Sequence, residues 1–141
     1  MHGKAGITVG AIIIKEDKVL LVKHTEKSHH KSGIYGLPSG RPEPSEDLLE
    51  ALIREVKEET GLDVKKSDLI RLNHLWFAEI ERKDGKKIWS IIPFIAKKFS
   101  GSLSADNETI PEWISIDELD KLDLLPNVKE IITDARALQQ G

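Results

Sequence analysis

The sequence predicts one α/β domain in which a mixed β-sheet lies between helices. Its 141 residues are the size of a single ordinary domain, and 39% apolar with 32% charged residues is typical of a soluble globular protein. Strand-like and helix-like segments follow each other as two strands, a helix, three strands and a helix. No repeat or Pro/Ser-rich linker interrupts them, so residues 1–141 are predicted to form one domain.

The first elements are two runs rich in β-branched and aliphatic residues. Residues 7–15 (ITVGAIIIK) and 18–24 (KVLLVKH) are separated by a short polar turn, which predicts a hairpin with both strands in the core sheet. The next stretch, residues 25–40, is polar, contains glycine and has no apolar period. It is predicted to be a mobile loop, in which phosphate contact by His29 and His30 is the alternative interpretation.

A helix is predicted over residues 46–60. Ser45 is suited to its N-cap, and Gly61 is suited to the left-handed position that ends it. Glu46 and Asp47 place negative charge in the first turn, where the helix dipole favours it. With about 100° of rotation per residue, the aliphatic side chains gather on one face, which is predicted to pack on the core.

The C-terminal half begins with two long strand-like runs in residues 68–101. Asp84 and Gly85 form the dipeptide favoured in tight turns, so these runs are predicted to pair as a long antiparallel hairpin. A short strand then leads into a short helix, with Ser115 or Asp117 as its N-cap. Pro126 is predicted to open a terminal helix.

The composition excludes several classes of function. The formal net charge of -3 provides no basic field for gathering nucleic acid, so we expect no duplex nucleic-acid partner and disfavour RNA cap removal. The absence of cysteine excludes a disulfide framework, a thiol nucleophile and a thiolate metal site, and fits a cytoplasmic protein. No apolar run approaches the roughly 20 residues that span a bilayer, so no membrane anchor is expected.

Three glutamates of the predicted helix, Glu55, Glu58 and Glu59, lie at positions i, i+3 and i+4. On a helical wheel they straddle one edge of the apolar stripe, so they are half turned toward the protein body. Like charges at this spacing repel each other unless a cation neutralises them, and oxygen ligands from one helical turn suit Mg²⁺ or Mn²⁺. The alternative is a solvated acidic face that neighbouring Arg and Lys side chains offset. The spacing alone does not decide between the two.

The pattern continues beyond the three glutamates and resembles a known motif. Gly40, five further residues, Glu46, seven further residues and then REVKEETGL (residues 54–62) resemble the Nudix box of the MutT-like Nudix hydrolases at every specified position. The preceding YGLPSG is similar to the family's aromatic-x-Leu-Pro-Gly-Gly sequence. The chain departs from the family pattern at Ser39, where glycine is usual, and at EPSE, where E-x-G-E is commoner.

The resemblance implies a fold and an activity for the whole chain. The implied fold is the Nudix α/β/α sandwich with a mixed β-sheet between helices, which agrees with the predicted order of elements. The implied activity is hydrolysis of a nucleoside diphosphate linked to another moiety, by attack of water on phosphorus. Mg²⁺ is the implied cofactor, with Mn²⁺ as a substitute. A homodimer is also implied, since dimers are common among such domains.

Five residues match the family's metal-binding positions. Glu58 and Glu59 would be metal ligands, and Glu55 would be a ligand or the catalytic base. Glu46 would support the metal, directly or through water. The backbone carbonyl of Ser39 would be a further ligand, and a backbone contact tolerates serine where the local φ/ψ permits.

Catalytic roles are implied for three residues of the box and one outside it. Arg54 would orient Glu55, and Glu58 would be required for turnover. Family members often use a glutamate from a later loop, for which SADNETIPEW offers Glu108 and Glu112. We favour Glu108 because it lies within the loop; the alternative is an exposed loop charge.

The substrate contacts are indicated less sharply than the metal site. Arg41 lies inside the box and is a candidate phosphate contact. Trp76 and Trp89 are candidates for stacking on a nucleobase, with core packing as the alternative for each. Strand alternation places Trp76 and Phe77 on opposite faces, so at most one of them faces a cleft.

The motif does not name the substrate. The proline associated with ADP-ribose hydrolases and the tyrosine associated with dinucleoside polyphosphate hydrolases are absent from the corresponding positions. Nucleoside triphosphates or nucleotide sugars are therefore expected, with ADP-ribose pyrophosphatase activity as an alternative. A catalytically silent nucleotide-sensing module is a further alternative. It is disfavoured because such modules commonly lose box glutamates, whereas all of them are present in this sequence.

Overall fold

The computed structural model describes residues 6–140, which form two β-sheets and two α-helices. The strands are β1 (Gly6–Ile12), β2 (Ile14–Lys15), β3 (Lys18–His24), β4 (Tyr35–Gly36), β5 (Ser39–Gly40), β6 (Leu69–Arg71), β7 (Trp76–Arg82), β8 (Gly85–Ala96) and β9 (Thr109–Ser115). The helices are α1 (Leu48–Thr60) and α2 (Val128–Gln140), and short 3-10 turns cover Lys66–Asp68 and Ile116–Lys121.

The larger sheet is mixed and is centred on β1 and β8. These two strands run parallel, with Thr8 opposite Ile91, and β5 pairs antiparallel with β1. β6 and β7 pair antiparallel with successive parts of β8. The second sheet is antiparallel: β3 pairs with β9 along its whole length and with β2 and β4 near its two ends.

The sheets and helices enclose two apolar clusters, one beside each helix. Alternate side chains of β3 divide between them, because successive residues of a strand point to opposite faces. Leu20 packs with Leu52 and Val56 of α1, whereas Leu21 packs with Ile131 of α2. This layering confirms the predicted α/β sandwich with a mixed sheet between helices. Neither helix of residues 6–140 is long and apolar enough to cross a membrane.

The predicted hairpin of residues 7–15 with 18–24 is wrong in its extent. Only Ile14–Lys15 pairs with β3, because β1 ends at Ile12. β1 pairs with both β5 and β8, so its two edges are already occupied. The two predicted strands therefore lie in different sheets. The short strands β4 and β5 also fall within the stretch that was predicted to be a loop.

α1 begins two residues later than the sequence predicts. Ser45 has a φ of 73°, in the left-handed region, whereas an N-cap residue requires an extended backbone. Asp47 is the N-cap instead: it accepts from the N–H of Glu50 at 2.7 Å, and Glu50 accepts from the N–H of Asp47 at 2.9 Å. This reciprocal capping box satisfies two amide donors, which Ser45 does not. Gly61 ends the helix with a φ of 84°, as predicted.

The predicted long hairpin is confirmed for β7 and β8, but its first run is not continuous, because Leu69–Arg71 form the separate strand β6, which pairs with the far end of β8. Arg82 lies opposite Gly85, so the two turn residues are Lys83 and Asp84, one position earlier than predicted. Gly85 has a φ of 117°, a conformation that only glycine adopts at low cost.

The C-terminal elements differ from the prediction in their first residues. Ser115 precedes the 3-10 turn as predicted, but its side chain makes no capping hydrogen bond. α2 begins at Val128, two residues after Pro126, so the expectation that Pro126 opens it is wrong. Asn127 intervenes with a φ of 71°, which a helical residue does not adopt.

Candidate active site

A cavity of about 680 Å³ is lined by residues from both halves of the chain. This volume lies within the range of roughly 300–1,000 Å³ that is common for small-molecule sites. Two parts of the lining carry the polar chemistry. We call one the acidic wall, which consists of Ser39, Gly40, Glu55 and Glu59. We call the other the hairpin wall, which consists of Trp76, Arg82 and Trp89 of β7 and β8, together with His30.

Arg54 connects three glutamates beside the acidic wall. Its Nε and Nη2 donate to the two carboxylate oxygens of Glu46 at 2.7 and 2.9 Å, which is the two-bond geometry that guanidinium favours. Its Nη1 donates to Glu55 at 3.0 Å and to Glu58 at 3.1 Å. The hydrogen bond from Arg54 lowers the pKa of Glu46 to about 2, and the same contact raises the pKa of Arg54. Arg54 is thus the cation that holds these carboxylates together.

Glu55 lies directly against Gly40. A Cβ atom at Gly40 would lie 2.1 Å from the Cδ atom of Glu55, so the carboxylate takes this place only because residue 40 has no side chain. Burial raises the pKa of Glu55, and the hydrogen bond from Arg54 opposes that shift. The Glu55 side chain is only 16% exposed, and what it borders is the cavity.

Glu59 is held by the backbone of Ser39. The Ser39 N–H donates to Glu59 Oε1 at 2.8 Å. Burial raises the pKa of Glu59 well above its ordinary value, the Ser39 N–H opposes this shift, and the charges of Glu55 and Asp106 add to it. Ser39 therefore contributes to the wall through its main chain, and its hydroxyl has no part in this contact.

Trp89 is the centre of the hairpin wall and is only 6% exposed. Its indole lies on Gly6, where a Cβ atom would be 1.9 Å from Trp89 Cζ3. The guanidinium carbons of Arg41 and Arg82 lie 5.3 and 5.5 Å from the ring centroid, which is cation–π distance. The carbonyl of Arg41 also accepts from Arg54 Nη2 at 3.2 Å. Arg41 therefore joins the two walls.

Two histidines stack at the edge of the hairpin wall. The rings of His24 and His30 meet edge to face at 4.6 Å, and His24 Nδ1 lies 2.7 Å from Ser28 Oγ. Burial lowers the pKa of both histidines to about 4, so both are neutral at pH 7. The N–H of Lys83 in the hairpin turn donates to the carbonyl of His29 at 2.8 Å, which attaches this loop to the hairpin. The sequence offered phosphate contact by His29 and His30 only as the alternative to a mobile loop, and both histidines line the cavity.

The comparisons with known proteins identify the family. A family model described as "NUDIX domain" matches residues 4–135. The chain belongs to the Nudix family. The ADP-ribose pyrophosphatase of Methanocaldococcus jannaschii is 34% identical over 117 residues, which are 82% of this chain and 65% of that protein. The chain therefore spans slightly less than two thirds of that relative.

Two further Nudix relatives are similar over more of their length. The CTP pyrophosphohydrolase of Escherichia coli is 27% identical over 118 residues, which cover 84% of this chain and 82% of that protein. The crystal structure of the MutT Nudix hydrolase from Burkholderia pseudomallei matches with a TM-score of 0.77 at 22% identity, and covers 93% of this chain and 98% of that one. The second comparison supports the Nudix fold.

The Nudix residues predicted from the sequence fall into two groups. Those that line the cavity are Ser39, Arg41, Glu55, Glu59, Trp76 and Trp89. Those that reach the acidic wall through contacts with Arg54 are Glu46 and Glu58, and the Glu58 side chain is 54% exposed. Phe77 points away from the cavity and is 61% exposed, so the predicted alternation of Trp76 and Phe77 is confirmed.

Glu108 lies apart from both groups. It is exposed and does not line the cavity, and its carbonyl accepts from the N–H of Thr25 at 2.9 Å. Asp106, in the same loop, is the acid whose charge acts on Glu59 and on His24. Its Oδ1 accepts from the N–H of Glu108 at 2.9 Å, which fixes the carboxylate in the loop. The tendency of aspartate to bond the backbone two residues on is the signal that could have singled out Asp106.

The donor chemistry of the acidic wall fits a divalent metal. Among residues 6–140 no three acidic or histidine side chains are already arranged as a ligand set, and Arg54 is the cation that contacts the glutamates. Glu55 and Glu59 nevertheless place carboxylates at the cavity. Burial raises the pKa of both, and the charge of Glu55 raises the pKa of Glu59 further. Hard oxygen donors whose charges repel each other are the groups that Mg²⁺-like ions bind.

Proposed function

We propose that this Nudix protein hydrolyses a nucleoside diphosphate linked to another group, with a divalent metal as cofactor. The acidic wall is the observation that carries the proposal. Glu55 and Glu59 lie one helical turn apart beside a cavity of nucleotide size, and the backbone of residues 39–40 fixes both. Carboxylates that are buried together beside a ligand cavity are characteristic of metal and proton-transfer sites.

Mg²⁺ is the proposed cofactor, with Mn²⁺ as a substitute. Glu55, Glu58 and Glu59 would hold it, with Glu46 in support and the carbonyl of Ser39 as a further ligand. Such an ion, when bound, offsets charge on phosphoryl oxygens and lowers the pKa of a coordinated water.

The protein's own residues have distinct proposed tasks. Glu55 borders the cavity, so it is the proposed base that takes a proton from the attacking water, in preference to the exposed Glu108. Arg54 orients Glu55 through its 3.0 Å hydrogen bond. Arg41, which joins the two walls, is the proposed phosphate contact, because a guanidinium binds phosphate oxygens in pairs.

The proposed substrate is a nucleoside triphosphate or a nucleotide sugar, whose base would lie along the hairpin wall. Trp76 and Trp89 supply the flat apolar surface on which a base packs. ADP-ribose is the second candidate, favoured by the Methanocaldococcus relative that is named an ADP-ribose pyrophosphatase and is 34% identical.

A substrate panel tests the activity. Nucleoside triphosphates, nucleotide sugars, ADP-ribose and dinucleoside polyphosphates are incubated with Mg²⁺ or Mn²⁺, and kcat/KM is compared. At least one class should be hydrolysed, and Glu58→Gln and Glu59→Gln should each lower kcat about 1,000-fold, as expected when a catalytic carboxylate is neutralised. Glu130→Gln, an exposed glutamate of α2, is the matched control and should retain wild-type rates. Tight nucleotide binding without turnover of any substrate class would contradict the enzyme proposal and favour a nucleotide-sensing module.

Two further expectations belong to the proposal. The absence of cysteine favours a cytoplasmic location, which fluorescence microscopy of a tagged chain tests. A homodimer is proposed on the family resemblance, and light scattering after size exclusion tests it.

A further inference from the structure

Four buried side-chain nitrogens have no hydrogen-bond partner within the part of the chain that the structure describes. They are His30 Nδ1, Trp76 Nε1, Arg82 Nε and Trp89 Nε1. More than nine in ten buried polar groups in proteins are hydrogen-bonded, so such atoms are normally scattered and few. Here all four belong to residues that line the same cavity. Because these nitrogens lie together on the hairpin wall, a bound ligand is expected to supply their missing hydrogen-bond partners.

The strand register explains how the hairpin presents these atoms. Trp76, Ala78 and Arg82 alternate along one face of β7, and Trp89 lies opposite Ala78 on β8. Trp89 rests against Gly6, so its N–H is held in place before any ligand arrives. His30 contributes the fourth nitrogen from the adjoining loop.

Three of the four atoms are hydrogen-bond donors only. The two indole N–H groups and the arginine Nε–H only donate hydrogen bonds, whereas a neutral imidazole such as that of His30 has one donor and one acceptor nitrogen, so its Nδ1 takes either role. Asp84 is the carboxylate nearest to Arg82 on this wall, and it faces Arg82 Nε at 3.5 Å and Lys87 Nζ at 3.9 Å. Both partners are cations, and one lies near each carboxylate oxygen of Asp84, so the charge of Asp84 is paired within the hairpin. The unpaired donors of Trp76, Arg82 and Trp89 therefore favour a ligand that supplies hydrogen-bond acceptors.

We propose that the hairpin wall is a base-recognition subsite that selects nucleotides with a carbonyl oxygen where the competing base carries an amino group. Trp76, Arg82 and Trp89 supply the donors, so inosine is favoured over adenosine and uridine over cytidine. An amino group at that position would face these donors and offer them no acceptor. A site built to hydrogen-bond one group discriminates strongly against an analogue that leaves its donors unpaired. The inference rests on the proposed function, because it assigns the base of the same substrate.

The first test compares substrates that differ only at that position. With Mg²⁺, kcat/KM for inosine triphosphate should exceed that for adenosine triphosphate by about tenfold or more, and uridine triphosphate should exceed cytidine triphosphate similarly, as one or more hydrogen bonds require. Trp76→Phe removes the N–H and keeps the apolar ring, so it should lower both ratios below about threefold. Trp113→Phe is the control: Trp113 packs against Phe99 outside the cavity, and both ratios should remain as in the wild type.

The second test is independent of catalysis and of metal. Nucleoside monophosphates are titrated into ¹⁵N-labelled wild-type protein without divalent ions, and the three indole N–H resonances are followed. Inosine and uridine monophosphate should bind about tenfold more tightly than adenosine and cytidine monophosphate, and should shift the resonances of Trp76 and Trp89 but not that of Trp113.

The outcomes separate the two proposals. Hydrolysis without any preference within the matched pairs, or equal binding of the monophosphates, would overturn the base assignment and leave the proposed activity standing. Selective binding of inosine monophosphate without turnover of any nucleotide would overturn the proposed activity and leave the base assignment standing. Movement of the Trp113 resonance alone would also overturn the assignment, because it would place the base elsewhere.

Discussion

The acidic wall and the hairpin wall of the cavity are built in opposite ways. Beside the acidic wall a single cation, Arg54, donates to Glu46, Glu55 and Glu58, and within the wall the Ser39 N–H donates to Glu59. In the hairpin wall two indole nitrogens and the Arg82 Nε have no partner among residues 6–140. The first wall is therefore organised before a ligand binds, and the second is completed by the ligand.

This difference follows from where the residues lie in the sequence. The acidic wall comes from a short segment, residues 39–59, so one helix and the turn before it position nearly all of it. The hairpin wall combines β7, β8 and the loop after β3, and it depends on Gly6 at the start of β1. We infer that reaction chemistry is encoded locally in this chain, whereas substrate choice is encoded by distant contacts.

The largest expected effect is a change at Gly40 that disturbs the acidic wall alone. A methyl group at residue 40 would lie 2.1 Å from Glu55 Cδ, so Gly40→Ala forces the carboxylate away from the cavity. We expect kcat to fall about 1,000-fold, as when a positioned base is lost, while nucleotide monophosphate affinity stays within about twofold. Steady-state kinetics and calorimetric binding measure the two quantities.

Ser39→Ala is the matched control for Gly40→Ala. Ser39 holds Glu59 through its backbone N–H, so removal of its hydroxyl should leave kcat within about twofold of the wild type. If Gly40→Ala lost monophosphate affinity as severely as kcat, the two walls would not be separable.

The sequence predicted the acidic wall better than the fold that surrounds it. Local spacing placed Glu55 and Glu59 on one helix edge, and both line the cavity. The helix start was misplaced because Ser45 and Asp47 are both suited to an N-cap, and only the reciprocal bond with Glu50 decides between them. Sheet partners were misassigned for a different reason: β1 pairs with β8, which is about 80 residues away, and no local pattern reports such a contact.

The hairpin wall could not be predicted from the sequence. Alternation showed that Trp76 and Phe77 face opposite sides, but not which side holds a cavity. Arg82 gave no signal, since a strand end is an ordinary place for it. His30 was indicated only as an alternative phosphate contact in a predicted mobile loop, not as part of a wall shared with the hairpin. Their roles depend on contacts such as the one between Lys83 and His29, which join segments far apart in the chain.

The next largest effect concerns acid stability, to which His24, whose ring contacts His30 of the hairpin wall, contributes. Its pKa is lowered to about 4 by burial, with His30, Arg82 and Lys83 adding to the shift and Asp106 opposing it. The unfolded chain binds a proton at His24 near pH 6.5, so the contribution to stability is complete above about pH 6.5 and is lost as the pH falls toward 4. The loss attributable to His24 is about 3 kcal/mol in the free energy of unfolding.

Urea denaturation between pH 7 and pH 4 measures this loss. His24→Asn should have a flatter dependence of the unfolding free energy on pH than the wild type, and carboxylates common to both cancel in the difference. Parallel curves for His24→Asn and the wild type would show that His24 does not resist protonation in the folded protein.

The smallest effect comes from moving the indole of Trp89 while leaving the acidic wall unchanged. A methyl group at residue 6 would lie 1.9 Å from Trp89 Cζ3, so Gly6→Ala tilts the ring away from β1. KM should rise about tenfold while kcat stays within about threefold, since the base contact is lost and the reacting groups are not. Ile7→Ala alters the same strand at a side chain that is 55% exposed, and should change neither constant. A fall in kcat with KM unchanged would mean that the two walls act as one unit, because Trp89 would then be positioning the acidic wall through Arg41.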